Sequence, residues 1–276
     1  MNTYTRTVRD ALYEEPGKKA KKQIAVATAI SLVAIAVFIF FIAKAFYDNG
    51  QFDAKYWSFF TKYTTWRFIA NGLVGTLEAA FLAGLMAFII GMIFMIGRIC
   101  NYKILNRIAT VLIEFTRGVP TLLFIYFFFL IVPQLGINLP SIFRISIPVA
   151  ISACGVVAEV LRSGVNAVPK GQKEAALSLG MTESKTFTKI IFPQAIHQVI
   201  PALIAEIVIV VKDTTFAYVI NFPDLMQNAK VLISNYDALL SVYLVVAVIY
   251  IIINYILNKI SVAIARRTQT SPVITR

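Results

Sequence analysis

The sequence predicts an all-α polytopic membrane protein with about six transmembrane helices. Three observations predict it. Only 14% of the 276 residues are charged and 58% are hydrophobic, whereas a soluble domain carries about 25% charged residues. Apolar runs of about 20 residues, the length that crosses a bilayer, recur along the chain. Lys and Arg also collect in alternate connections between those runs.

The runs fall at 24–46, 73–96, 108–132, 145–161, 196–220 and 239–260. The first follows Lys18, Lys19, Lys21 and Lys22 and ends near Ala43-Lys44-Ala45. That arrangement resembles a signal peptide, but signal h-regions are only about 7–15 residues long. Its length therefore favours an uncleaved anchor helix. Tyr56, Trp57, Phe59, Phe60 and Trp66 follow, and amphipathic rings of this kind settle at a membrane interface.

Basic residues orient the spans. Arg6, Arg9 and the Lys18–Lys22 group precede the first run. Arg98, Lys103 and Arg107 lie between the second and third. Arg162, Lys170, Lys173, Lys185 and Lys189 lie between the fourth and fifth, and Lys259, Arg266, Arg267 and Arg276 close the chain. An even number of spans puts all four groups on one side, and the positive-inside rule makes that side, with both termini, cytoplasmic. The formal net charge of +12 is thereby accounted for by the membrane. It forms no nucleic-acid-binding stripe, so no nucleic-acid partner is expected.

Several chemistries are not supported. No phosphate-cradling G-x-x-x-x-G-K-[ST] loop, zincin motif or nucleophile elbow occurs. The single His197 and the two cysteines, Cys100 and Cys154, have no partners at metal-ligand or disulfide spacing, so no metal site is expected. The chain reads as a protein that moves or docks something, not as an enzyme.

The polar stretch from 169 to 193, PKGQKEAALSLGMTESKTFTKIIFP, is too long for a simple connection. Pro169 suits a helix start, and residues 172–179 are good helix formers. Ala175, Ala176 and Leu177 offer an apolar strip. Gly180 suits a left-handed stop, and Thr182 can cap a second short helix that has Glu183 in its first turn. Pro193 and Pro201 are placed where the chain turns into the bilayer. The pattern fits either a docking device or an interfacial loop without a partner.

These residues resemble the EAA signature of ABC importer membrane subunits. Glu174-Ala175-Ala176, then Gly180, Ile190 and Phe192-Pro193 keep its spacing, with Phe192 at its final Leu. Other segments resemble the polar amino-acid permeases of that group. They are Gly75-Thr76-Leu77, Glu114 with Arg117-Gly118-Val119-Pro120, Ala158-Glu159-Val160-Leu161-Arg162, Pro169-x-Gly171-Gln172, Phe192-Pro193-Gln194-Ala195 and Lys212-Asp213-Thr214-Thr215. The chain departs from the family at Val119 (usually Thr), Phe124 (Gln), Cys154-Gly155-Val156 (Gly-Ala-Tyr) and Ser163 (Gly).

The resemblance covers roughly residues 70–265 and implies a type I ABC importer-like five-helix core behind an N-terminal helix. Residues 1–69 would hold the basic tail, anchor and aromatic linker, 70–265 the transmembrane domain, and 266–276 a cytoplasmic tail. A coupling loop at 166–195 would engage a separate ABC ATPase through Gly171, Glu174, Ala175, Ala176, Gly180 and Pro193. This chain would bind no cofactor, since ATP and Mg would sit on that ATPase. The other implied partners are a second permease subunit (identical or homologous), an extracellular substrate-binding protein and membrane lipid. The implied location is the bacterial inner membrane.

Charges at membrane depth cost about 2.5–3.5 kcal/mol on insertion scales and usually face a cavity or a partner. Glu159 and Arg162 share a face of the fourth run, and Lys212 and Asp213 lie in the fifth, with Glu206 about two turns earlier. Two readings stand. The four form a path for a zwitterion, with Glu159 or Asp213 meeting the ammonium and Arg162 or Lys212 the carboxylate. Alternatively, they pair with one another and hold helices in register. Glu114 and Arg117, spaced i, i+3, are expected to form a structural ion pair.

The expected function is an ATP-driven importer permease for amino acids. Alternatives are the same machinery carrying another small polar solute, a nucleotide-independent channel or secondary transporter, and a membrane scaffold.

Overall fold

The structure is a computed structural model that describes residues 17–268, with side chains through 264. Arg6, Arg9 and Arg276 lie outside the described residues. The chain forms two compact units, Met1–Tyr56 and Trp57–Arg276. Among the described residues the regular structure is helical.

Among its described residues the first unit holds one long helix, α1 (Lys18–Asp48), with no buried residue, and a short 3-10 turn at Ala54–Tyr56. A helix that is apolar on every face needs lipid or another helix around it. It ends in a Schellman turn, in which Gln51 N–H donates to the Phe46 carbonyl and Gly50 N–H to the Tyr47 carbonyl, both at 2.9 Å. Gly50 supplies the required positive φ of 64°.

The second unit contains α2 (Tyr63–Ile99), α3 (Lys103–Gly118), α4 (Thr121–Leu130), α5 (Ser141–Ala167), α6 (Lys170–Ser178), α7 (Glu183–Thr186), α8 (Phe192–Asp213), α9 (Leu225–Tyr236) and α10 (Leu239–Thr268). Among the described residues five helices are long and apolar enough to cross a membrane, or six if the bent pair α3–α4 is one span. The aromatic linker enters this unit at Trp57. Phe59 is not a free interfacial ring: it is buried and stacks on Tyr236 of α9 at 4.2 Å between ring centres.

At the centre, α5 packs against α2, α3, α4 and α8. The α2 face toward it carries Ala79, Ala80, Ala83, Ala87 and Gly91, and α5 answers with Ala150, Ala153, Cys154 and Ala158. Small residues let helix backbones approach closely in a solvent where apolar burial drives little association. Ser146 Oγ ties the two by donating to the Ala79 carbonyl at 3.1 Å. The contact with α3 is tighter still. A Cβ at Gly155 would fall 2.9 Å from the Ile113 carbonyl oxygen and nearer yet to Thr116 Oγ1, so only glycine fits there.

Two expectations are corrected. The run at 108–132 is not one helix, because α3 and the segment after it meet at 95°. Pro120 lacks an N–H and holds Val119 extended, at φ −94° and ψ 127°, so the helix stops and restarts. Conversely, Pro193 and Pro201 mark no turn. A π-helical segment, Phe187–Ile191, joins α7 to α8, with Pro193 in the first turn of α8 and Pro201 inside it.

The far end of the bundle is closed by α9, which is too short to span. Asp224 caps it, with Oδ1 accepting from Gln227 N–H at 2.7 Å. Leu225 N–H donates to Thr76 Oγ1 at 3.0 Å and Asn228 Nδ2 to the Phe68 carbonyl at 2.7 Å. Burial pushes the Asp224 carboxyl up to about 6, although backbone N–H groups around it pull the other way. This is above the unfolded value of about 3.9, so the folded chain binds this proton more tightly. The Asp224 contribution to stability therefore rises as pH falls through 6 toward 4. Asp224→Asn keeps the cap and removes the titration. Melting midpoints measured from pH 7 to pH 4.5 should show a smaller acid-side gain for the variant than for the wild type.

Candidate functional site

Three clusters of polar residues stand out. The first is the handle formed by α6 and α7. Pro169 precedes α6 and Gly180 follows it at φ 78°. Gly180 N–H donates to the Leu177 carbonyl at 2.9 Å and Met181 N–H to the Ala176 carbonyl at 3.2 Å, a Schellman turn. Thr182 Oγ1 accepts from Lys185 N–H at 3.4 Å to cap α7. Lys173 reaches Glu183 at 3.6 Å and clasps the two helices.

The expected apolar strip divides. Ala176 is buried, while Gly171, Glu174, Ala175, Gly180 and Pro193 are exposed. Leu177 is also exposed, and Leu179 projects with 84% of its surface free. Sequence reading passed over Leu179, which follows the helical pattern; only the turn at Gly180 turns it outward.

The second cluster is an ion-pair network. Arg162 Nη2 sits 2.8 Å from Glu159 Oε2 on α5. Arg98, from the end of α2, pairs with the other oxygen of Glu159 and lies 3.7 Å from Glu114 on α3. Arg117 lies 3.8 Å from the same Glu114 oxygen. Glu114 and Arg117 thus meet as their spacing predicted, within a larger group that joins α2, α3 and α5. Arg98 was missed as a member, since its basic position in a connection was already explained by membrane orientation.

The third cluster is a pocket of about 340 Å³ at the α3–α4 break, lined by Arg117, Val119, Pro120, Thr121, Ser152, Glu206 and Asp213 among others. Thr121 Oγ1 donates to Asp213 Oδ2 at 2.8 Å and lies 2.8 Å from Ser152 Oγ. Glu206 is buried, two turns before Asp213 on the same helix. The break at Pro120 is what turns Thr121 and the first residues of α4 toward α8.

The four charges expected to share one path are separated. Asp213 is on the pocket wall. Lys212, its neighbour in sequence, is exposed and outside the lining, because adjacent helical residues point about 100° apart. Glu159 is engaged by both Arg162 and Arg98. Glu206, Thr121 and Ser152 line the pocket with Asp213; the two-turn spacing of Glu206 and Asp213 was visible, but the approach of α4 was not.

A helical membrane bundle with a polar pocket at a broken span and a projecting polar handle defines a solute-transport subunit. The pattern of the family described as "Binding-protein-dependent transport system inner membrane component" matches residues 94–270, and the chain belongs to that family. It is 35% identical over 223 residues to the glutamate transport system permease protein GluD of Corynebacterium glutamicum, covering 79% of this chain and 82% of that one. It is 33% identical over 165 residues to the probable glutamine ABC transporter permease protein GlnP of Bacillus subtilis, covering 60% and 76%. Among solved structures, an amino acid ABC transporter crystallised with histidines superposes with a TM-score of 0.70 at 32% identity, covering 75% of this chain and 96% of that one. The MetNI methionine ABC transporter, at 17% identity and a TM-score of 0.66 over 76% of this chain and 100% of that one, shares the fold. The chain is a permease subunit of the ABC importer class.

The network yields a ranking. Arg98→Gln leaves Glu159, only 20% exposed, without one of its two cationic partners, and should cost about 2 kcal/mol. Arg117→Gln disturbs a pair in which Glu114 is 59% exposed, and should cost under about 1 kcal/mol. Thermal unfolding of the two purified variants checks the order.

Proposed function

We propose that this chain forms half of the translocation path of an ATP-driven amino-acid importer in the bacterial inner membrane. A second permease subunit completes the path. An external binding protein delivers substrate, and two ATPases, holding ATP and Mg, supply the motion. The charge distribution supports cytoplasmic termini and a cytoplasmic handle.

The observation that carries the substrate reading is the pocket at the α3–α4 break. Asp213 and Glu206 present carboxylates to it, and Arg117 lines the same space. An amino acid needs both signs: an anion for its ammonium and a cation for its carboxylate. Asp213, held by Thr121, suits the ammonium, and Arg117 the carboxylate. Glu206 leaves one acidic group over, which favours a substrate with a neutral or cationic side chain over an acidic one. The relatives are named for amino acids of several charge types, so the pocket and not the family name directs this choice.

The handle transmits force. Leu179, Glu174 and Ala175 are uncovered and fit a groove on an ATPase, with Gly171, Gly180 and Pro193 shaping the segment. The α5 helix ends at Ala167, two residues before Pro169, so displacement of α6 reaches α5 with little slack. The Glu159–Arg162–Arg98 network then carries it to α2 and α3, a bracing role in place of substrate contact.

Two outcomes test this. In proteoliposomes with the full transporter, Asp213→Asn should raise the substrate concentration for half-maximal uptake roughly tenfold, the loss of one charge-assisted contact of about 1.5 kcal/mol. ATPase assembly should be unchanged. Leu179→Asp or Glu174→Ala should instead abolish substrate-stimulated ATP hydrolysis while the pocket still binds. Vanadate-insensitive uptake by this chain alone would sink the ATP-driven reading.

A further inference from the structure

Where α2 ends and α3 begins lies a basic concavity that none of the roles above uses. It encloses about 440 Å³ and is lined by Cys100, Asn101, Lys103, Asn106, Arg107 and Thr110. Its floor is fixed by hydrogen bonds. The Asn106 side-chain amide donates to the Arg98 carbonyl, Thr110 Oγ1 to the Asn106 carbonyl at 2.8 Å and Cys100 Sγ to the Gly97 carbonyl at 3.0 Å. Lys103 and Arg107 stand one turn apart, both exposed. Unlike Arg98, Arg117 and Arg162, neither makes an ion pair with a described carboxylate. The first turn of α3 adds N–H groups that no side chain caps, and such groups favour an anion.

A second feature adjoins the first. Ile104, Ile108, Val111 and Phe115 are 76%, 52%, 62% and 55% exposed and follow helical spacing along one face of α3. This stripe starts beside the two cations and runs along α3 into the span. Soluble phosphate would fill the concavity and leave the stripe bare. A diacyl lipid with an anionic head would use both, its phosphate between Lys103 and Arg107 and its tails along the isoleucines. Basic pockets at the ends of transmembrane helices take anionic headgroups for this reason.

We propose that the α2–α3 junction is a binding site for an anionic phospholipid, with Lys103 and Arg107 holding the phosphate and the Ile104–Ile108–Val111–Phe115 stripe holding the acyl chains. The site rests on the membrane-subunit reading but not on the substrate, the ATPase or the side of the membrane. A zwitterionic head brings its own cation and gains less from two uncompensated positive charges.

The purified full-length chain, titrated with dioleoylphosphatidylglycerol and followed by native mass spectrometry, tests it. Wild type should retain this lipid in preference to dioleoylphosphatidylcholine. K103Q/R107Q should weaken phosphatidylglycerol retention roughly tenfold and leave phosphatidylcholine unchanged, whereas K103R/R107K should retain both as wild type does. Cys100 gives an independent readout, since it lines the concavity and the other cysteine, Cys154, is buried. Phosphatidylglycerol should slow maleimide labelling of Cys100 in wild type and not in K103Q/R107Q. Equal retention of phosphatidylglycerol by wild type and K103Q/R107Q would overturn the proposal. So would equal protection of Cys100 by glycerol phosphate, because a soluble phosphate would then account for the site without the apolar stripe.

Discussion

The close approach of α5 to its neighbours is the constraint on which the rest depends. In lipid, apolar surface gains little by leaving one apolar environment for another, so helices associate through van der Waals contact and hydrogen bonds. Both weaken steeply with distance. The alanines of α2 and the Ala and Gly positions of α5 bring backbones near enough for Ser146 to reach across to Ala79. Gly155 lets α3 lie where a methyl group would collide with Ile113 and Thr116. With α5 placed, the positions of Glu159, Ser152 and the root of the handle follow.

The break at Val119-Pro120 turns that scaffold into a site. A continuous helix through this region would satisfy its own backbone and present only side chains. Interrupting it exposes backbone polar groups at membrane depth, which is tolerated only where protein or a water-filled cavity surrounds them. The pocket beneath the break is such a place. Thr121, redirected by the bend, meets both Asp213 and Ser152, so an intramembrane carboxylate is oriented by a hydroxyl, with no ion pair among the described residues. Arg162, by contrast, is matched with Glu159. The same residue types therefore stand in different settings in the two clusters, one carboxylate matched by guanidinium groups and the other oriented by a hydroxyl on a pocket wall.

The proposed lipid site and the Glu159–Arg162 pair are joined through Arg98. Its carbonyl accepts from the Asn106 side-chain amide in the basic concavity, and its guanidinium donates to Glu159 on α5. An anionic lipid held at Lys103 would thus sit beside the network that ties α2, α3 and α5 together.

Composition, span number, the two short helices of the polar stretch and the turn between them were all legible in the chain. Each depends on interactions within a few residues: apolar length, Pro169 at a helix start, Gly180 in a left-handed stop, Thr182 as a cap, Glu114 with Arg117 one turn on. Membership of a transport family was legible from the same local motifs. The tertiary structure alone decided that Arg98 meets Glu159 across 61 residues and that Thr121 meets Asp213 across 92. It also decided that Lys212 faces away from the residue beside it, and that the third run bends where a straight span was expected. These depend on how closely separate helices pack and how each is rotated about its axis. Both are set by the fit of small residues between distant segments, and hydropathy and spacing along one segment carry no record of that fit.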